Sequence, residues 1–263
     1  MLERLTRASK RVRQTVTGFD NGPAVLTQIA RRSPDLVFKT DNGLTVACPN
    51  VAGARVPVYE IFVEDAYRLG WFTGDLEPEL QALDIGGHIG CFSMAFATLH
   101  PSARVQTFEA SPSTYQYTRR NIETNRLDDR VTVENVAVSS STGTLSFADN
   151  QGGSGLNGIT APEGSKVIEI PCVTFAEAKA HAGGSVDVVK IDTEGAEYDI
   201  VLGSDPADWK DVQRVVLEYH DVPGYAWSEL KEFFASADLH VVRQEPVTER
   251  LGTAWLSRTP LPA

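Results

Sequence analysis

The sequence predicts an α/β protein: a mostly parallel sheet with helices on both faces, a cap of helices and a hairpin in front, and an antiparallel pair of strands at the end. Three observations carry this. From Gln81 onward, short apolar runs alternate with segments of helical periodicity, and parallel neighbours need crossover connections of that kind. The stretch Leu83-Asp84-Ile85-Gly86-Gly87-His88-Ile89-Gly90 reads as a buried strand turning sharply into a helix. Gly86 and Gly87 permit the tight turn, and Gly90 lets the next helix approach the sheet. The strands expected at 239–244 and 253–257 are joined by a connection too short for a crossover helix, so they pair antiparallel.

Taken in order, residues 1–32 alternate apolar and basic positions at rough helical spacing, broken near 18–23, which predicts two short helices. Strands at 36–39 and 44–47 flank Thr40-Asp41-Asn42-Gly43, and Asn-Gly between alternating residues marks a hairpin. An amphipathic helix is expected over 58–69, beginning after Pro57. Residues 1–75 are expected to form a cap packed on a main domain of residues 76–263. In that domain the spacing predicts strands at 81–85, 104–108 and 131–138, with helices at 91–99 and 113–125 between them. Strands at 144–147 and 167–173 enclose a glycine-rich loop, 149–164. Alternation resumes with helix 175–181, strand 186–191, helix 196–202, strand 212–217 and helix 227–237.

The chain has 263 residues, 42% hydrophobic and 22% charged, with a formal net charge of −11. That composition is ordinary for a folded soluble domain, and the acidic balance argues against a nucleic-acid partner, whose binding draws on clustered Lys and Arg. Arg4, Arg7, Lys10, Arg11 and Arg13 read as a solvated helix face. Cys48, Cys91 and Cys172 are odd in number and widely separated, so neither a disulfide framework nor a CxxC metal site is expected, and a cytoplasmic setting fits. The sequence has no apolar run long enough for a membrane span and no signal-peptide core, so no membrane insertion is expected.

Five strand ends carry the chemistry. In the glycine turn, the place of the second glycine of a dinucleotide fingerprint is taken by His88, whose bulk disfavours close approach of an NAD pyrophosphate. Asp84 ends that strand. Glu109 ends the next, roughly 20 residues after the turn, where an acid accepts both hydroxyls of a ribose. The plainer account of Glu109 is a solvated acid in a first helical turn begun by Ser111-Pro112. Asn135-Val136-Ala137 lies on the same edge, where an amide and backbone groups reach an adenine ring, although turn chemistry explains Asn135 nearly as well. The stretch Val186-Asp187-Val188-Val189-Lys190-Ile191-Asp192-Thr193-Glu194-Gly195-Ala196-Glu197 places Asp192 and Glu194 beside the pocket. Close carboxylates there invite a functional account, whereas Glu197 reads as a helix N-terminal acid. Glu218 and His220 share one face of a further strand. A histidine beside a carboxylate is a natural base.

The set Leu83 to Gly90, Phe108-Glu109-Ala110-Ser111-Pro112, Asn121-Ile122-Glu123-Thr124-Asn125 and Lys190 to Glu197 resembles the FkbM-type S-adenosylmethionine (SAM)-dependent methyltransferases. The resemblance implies a class I methyltransferase (Rossmann-like) fold: a seven-stranded sheet, mostly parallel, whose last strand is antiparallel. It implies SAM as cofactor, with Asp84, Gly86 and Gly90 around its methionine part, Glu109 on the ribose and Asn135 near adenine. Gly87, His88, Ser111, Ala137 and Asp192 complete the expected cofactor set. Here Gly86-Gly87-His88 replaces the usual Gly-Ala-Asn, and Ala110 stands where proline is common.

The expected activity is O-methylation of a hydroxyl on a sugar or secondary metabolite. His220 is the expected base, with Asp192 and Glu194 as catalytic partners. Asp192, Glu194 and Glu218 either orient it or hold a divalent cation such as Mg²⁺, which the sequence does not settle. The expected partner is a small-molecule acceptor, and assembly as a homodimer stays open. An NAD-dependent oxidoreductase and a non-catalytic nucleoside-cofactor-binding module are the alternatives.

Overall fold

The computed structural model describes residues 2–51, 53–148 and 167–261. Helices α1 (Leu2–Gly18) and α2 (Gly22–Ala30) are separated at the expected break, and Pro23 sits in the first turn of α2, where its missing N–H costs nothing. Strands β1 (Asp35–Lys39) and β2 (Thr45–Pro49) pair antiparallel. Thr40 closes their turn, its N–H donating to the Leu44 carbonyl and its hydroxyl oxygen accepting from the Leu44 N–H.

The single helix expected over 58–69 is two, α3 (Val56–Phe62) and α4 (Leu69–Thr73). Between them Asp65 and Arg68 adopt left-handed φ values of 46° and 50°, which ends helical hydrogen bonding. The break turns the Tyr67 side chain into the protein, where it is 6% exposed. Periodicity read Tyr67 and Leu69 as one apolar stripe because both are buried.

Strand β3 (Gln81–Ile85), helix α5 (Cys91–Leu99), strand β4 (Arg104–Phe108), helix α6 (Pro112–Thr124) and strand β5 (Val131–Glu134) follow as two crossover units. The strand expected over 131–138 is divided. After Glu134 the chain leaves the main sheet, and β6 (Ala137–Val138) joins β7 (Gly143–Ala148) and β8 (Val167–Val173) in a second, three-stranded sheet of order β6-β8-β7. The period-two pattern continues across the switch because both sheets bury a face. The expected loop 149–164 lies outside the described residues.

Helix α7 (Phe175–His181) starts on a capping box in which Thr174 and Glu177 satisfy each other's backbone N–H groups. Strand β9 (Val188–Ile191), helix α8 (Glu197–Leu202), a 3-10 turn at Pro206–Trp209, strand β10 (Arg214–Tyr219), helix α9 (Trp227–Ser236) and strands β11 (His240–Thr248) and β12 (Leu251–Ser257) complete the chain.

The main sheet has the order β11-β12-β10-β9-β3-β4-β5. Only β12 runs antiparallel to its neighbours, so the sheet is the Rossmann-like, seven-stranded arrangement expected. Alternating side chains feed two cores: Ala82, Val105, Val188 and Val216 face one, and Leu83, Val189, Val215 and Leu217 face the other. The first core is continuous with Phe19, Leu36, Phe38 and Val46 of the front segment, which meets the main domain through β2 on α6 and through α3 and α4 on α5. Strand order reverses between β3 and β9, and a crevice opens beyond their carboxyl ends, where ligands bind in such sheets. No described helix is long and apolar enough to cross a membrane.

Candidate active site

A cavity of about 340 Å³ fills that crevice, within the size range of small-molecule sites. Its walls come from the turn after β3 (Ile85, Gly86, His88), the end of β4 (Phe108, Glu109, Ala110), the small sheet (Val136, Ala137, Val138, Leu145, Phe147) and the turn after β9 (Asp192, Thr193, Glu194). Glu60 of α3 and Glu218 of β10 close one end, and Thr114 of α6 lies on the wall.

The glycine turn is tied down by two N–H groups, those of Gly86 and Gly87, donating to the Phe108 carbonyl at 3.0 and 2.9 Å. Gly86 has φ +80°, and a Cβ there would meet the Asp192 carbonyl oxygen at 1.8 Å, so no side chain fits. His88 is also left-handed, φ 47°. Among non-glycine residues, His and Asn are enriched in that region, which accounts for a histidine where asparagine is usual.

Several expected site residues lie behind the wall. Asp84 is fully buried, accepts a hydrogen bond from Ser93 Oγ at 2.6 Å and lies 3.2 Å from Lys190 Nζ. Gly90 caps α5 with φ +87° and faces Thr118. Ser111 caps α6 by accepting from Thr114 N–H. The Asn135 amide donates to the carbonyls of Glu109 and Ala110, at 2.8 and 3.0 Å, so it holds the β4 end in place while its neighbours form the wall. Gly87 lines a side recess of about 30 Å³ with Glu60, Tyr67 and Lys190. Gly86, His88, Glu109, Ala137 and Asp192 stand on the main wall itself.

Glu109 accepts from the His88 N–H at 2.7 Å and the Ser111 N–H at 2.8 Å. Burial drives its pKa up to about 7 against those hydrogen bonds. A carboxyl at the cavity wall is thereby poised between two protonation states near neutrality.

Lys190 was not singled out from the sequence. Its signal was a cation inside the four-residue buried run of β9. Its ammonium donates to the Gly86 carbonyl at 2.6 Å and lies 3.2 Å from Asp84 and 3.9 Å from Asp192. Burial lowers its pKa, but the charges of Asp84, Asp192 and Glu218 outweigh that and hold it above the ordinary lysine value. Tyr67 and Glu60 were missed as well. The Tyr67 hydroxyl is 3.1 Å from Asp192 Oδ2 and 3.0 Å from Glu218 Oε1, sharing its proton between them.

The carboxylates at this end crowd one another. Glu218 and Glu60 are both raised, first by burial and then by the charge of Asp192. Glu194 stands on the wall in a left-handed conformation, φ 55°, a strained state that surrounding structure must hold. Its pKa rises to about 7 through burial and Asp192, with His220 opposing. His220 sits one step behind the wall. Its Nε2 is 3.5 Å from Glu194 Oε2 and its Nδ1 is 3.0 Å from Glu197 Oε1. Burial lowers its pKa, but the hydrogen bond and charge of Glu197, with Asp192 and Glu194, bring it up to about 9.

Among the described residues, Asp192, Glu197 and His220 offer donor atoms within 4.8 Å of one another; the expected trio of Asp192, Glu194 and Glu218 does not form such a group. Glu197 Oε1 is already occupied by Thr193 and His220.

Comparison with known proteins identifies the family. The methyltransferase FkbM domain matches residues 84–244. The chain is 32% identical to the 31-O-demethyl-FK506 methyltransferase FkbM of Streptomyces tacrolimicus, covering 71% of this chain and 82% of that protein. It is 26% identical to methyltransferase sdnD of Sordaria araneosa, over 63% of this chain and 74% of that one. A crystal structure of methyltransferase FkbM from Methylobacillus flagellatus KT aligns with a TM-score of 0.49 at 15% identity, covering 76% of this chain and half the length of that one. On the extent of the domain match and the identity to a full-length relative, the chain belongs to the FkbM family of methyltransferases.

Proposed function

We propose that the protein transfers a methyl group from SAM to a hydroxyl oxygen on a sugar or secondary metabolite. The observation that carries this is one cavity running from Glu109 to the Asp192 and Glu194 carboxylates. The residues present fit a nucleoside cofactor. Gly86 leaves no room for a side chain, Glu109 is a buried acceptor, and the Thr114 hydroxyl is buried on the wall with no hydrogen-bond partner among the described residues, a state that a polar ligand relieves.

When bound, SAM supplies an electrophilic methyl group on a sulfonium. Glu109 would hold the ribose hydroxyls, and the apolar side chains of Val136, Val138, Leu145 and Phe147 would enclose the adenine. Gly86, His88 and Asp192 would face the methionine part. On transfer the acceptor oxygen would lose its proton as its bond to the methyl carbon forms and the carbon–sulfur bond breaks, and we assign that proton to Glu194. Glu194 reaches the cavity and its carboxyl is raised to about 7 by burial and the charge of Asp192, near neutrality, where a general base is most effective. His220 stands behind it as a cationic partner. Tyr67 and Lys190 fix the surrounding carboxylates.

Gly53, Pro57 and Glu60 of the front segment contribute to the wall, which supports a cap over the acceptor side that excludes water. The hydrogen bonds already made by Glu197 support proton removal by side chains, with Mg²⁺ outside the reading. The three described cysteines are free and buried, which supports a reducing, cytoplasmic setting.

The test is transfer of labelled methyl from SAM to a panel of hydroxyl-bearing metabolites. Ether products with S-adenosylhomocysteine are expected. Methylation confined to nitrogen or carbon, or hydride exchange with NAD, overturns the reading.

A further inference from the structure

We propose that Glu197 is a positioning residue for methyl transfer, fixing His220 behind Glu194 and holding the turn from which Glu194 enters the cavity. The inference rests on the assignment of Glu194 as the base. As sequence, Glu197 reads as an ordinary acid at a helix start, and part of that is what it does: Oε1 accepts from the Thr193 N–H at 2.9 Å and the Thr193 hydroxyl at 3.0 Å, and Oε2 accepts from the Gly195 N–H at 3.0 Å. Those bonds clamp the residues on either side of Glu194, whose φ of 55° a free chain would rarely keep.

The same carboxylate is 3.0 Å from His220 Nδ1 and is itself fully buried. With Nδ1 engaged, the ring is locked with Nε2 toward Glu194. A buried acid fixes the orientation of a histidine ring in this way and favours its charged form. The result is a line of three side chains, Glu197, His220 and Glu194, of which the last reaches the cavity. The charged groups facing His220 are Glu197 from α8 and Asp192 and Glu194 from the turn before it. Glu197 provides both the hydrogen bond and the nearest opposite charge.

The test uses the full chain with Glu197→Gln, His220→Gln and the double variant. Glu197→Gln is expected to lower kcat by about 10- to 100-fold, the range for supporting residues, with SAM affinity within about twofold because Glu197 is not on the cavity wall. In NMR titration, the His220 ring is expected to lose its proton at lower pH in Glu197→Gln than in the wild type. That shift reports the Glu197–His220 contact itself, and the kcat loss at unchanged SAM affinity separates positioning from a purely structural role.

The double variant is expected to be no slower than the worse single one, since residues acting as a unit are non-additive. Fully additive losses, or an unmoved His220 titration, overturn the proposal. If Glu197→Gln does not fold, His220→Gln alone decides: wild-type kcat there removes the line of action. Wild-type kcat in Glu197→Gln with an inactive Glu194→Gln sinks this inference alone, whereas an active Glu194→Gln sinks the base assignment beneath it.

Discussion

Replacing Glu194 by Gln lowers kcat by about 10²- to 10⁴-fold, the usual contribution of a general base, and leaves SAM affinity nearly unchanged. Glutamine keeps the size of the side chain and a hydrogen-bonding oxygen, so the loss isolates proton acceptance. Only the ionised carboxylate accepts a proton, and burial beside Asp192 brings its pKa up to about 7. Wild-type turnover is therefore expected to rise as pH passes upward through about 7 and to hold until His220 loses its proton near 9. The variant loses that limb and keeps a flat, low rate. Turnover of the wild type survives exhaustive EDTA treatment, because the acceptor is deprotonated by a side chain. Abolition by EDTA with recovery on Mg²⁺ addition, or near-wild-type kcat in Glu194→Gln, refutes the assignment.

Lys190→Met destabilises the protein by about 3–5 kcal/mol, the cost of removing one partner from a buried ion pair. Lys190 is 4% exposed and Asp84 is fully buried. Methionine has nearly the same length and no charge. Asp84 is then left with Ser93 as a hydrogen-bond donor and no counter-ion, and the Gly86 carbonyl loses the ammonium that anchors the turn. Urea denaturation measures the difference. A loss under about 1 kcal/mol places Lys190 among screened surface charges and refutes its role as the support of the glycine turn.

Much of this site is legible in the sequence because a parallel sheet delivers the end of each strand to one edge. A glycine turn, an acid one crossover later and paired acids at a third strand end thus identify a ligand edge without coordinates. The side chains that come from elsewhere are a different matter. Tyr67 and Glu60 lie in a front segment whose helix breaks at Asp65 and Arg68, and nothing in the composition of those residues announces a left-handed backbone. Lys190 sits in a strand whose apolar pattern absorbs one long side chain without comment. Asn135 illustrates the opposite limit: its position on the edge is correct, but its amide is spent on the backbone of Glu109 and Ala110. Pairings such as Glu197 with His220, 23 residues apart, depend on how α8 is set against the end of β10, which spacing along the chain does not encode.

The most direct measurement of the central claim is calorimetric titration of the wild type and Glu109→Ala with SAM, S-adenosylhomocysteine and NAD. The wild type is expected to bind SAM and S-adenosylhomocysteine at one site and NAD not at all. Glu109→Ala is expected to weaken SAM at least about tenfold, in keeping with the ~1.5–3 kcal/mol of a hydrogen bond to a charged group. Absence of SAM binding to the wild type, or binding of NAD in its place, would contradict the account.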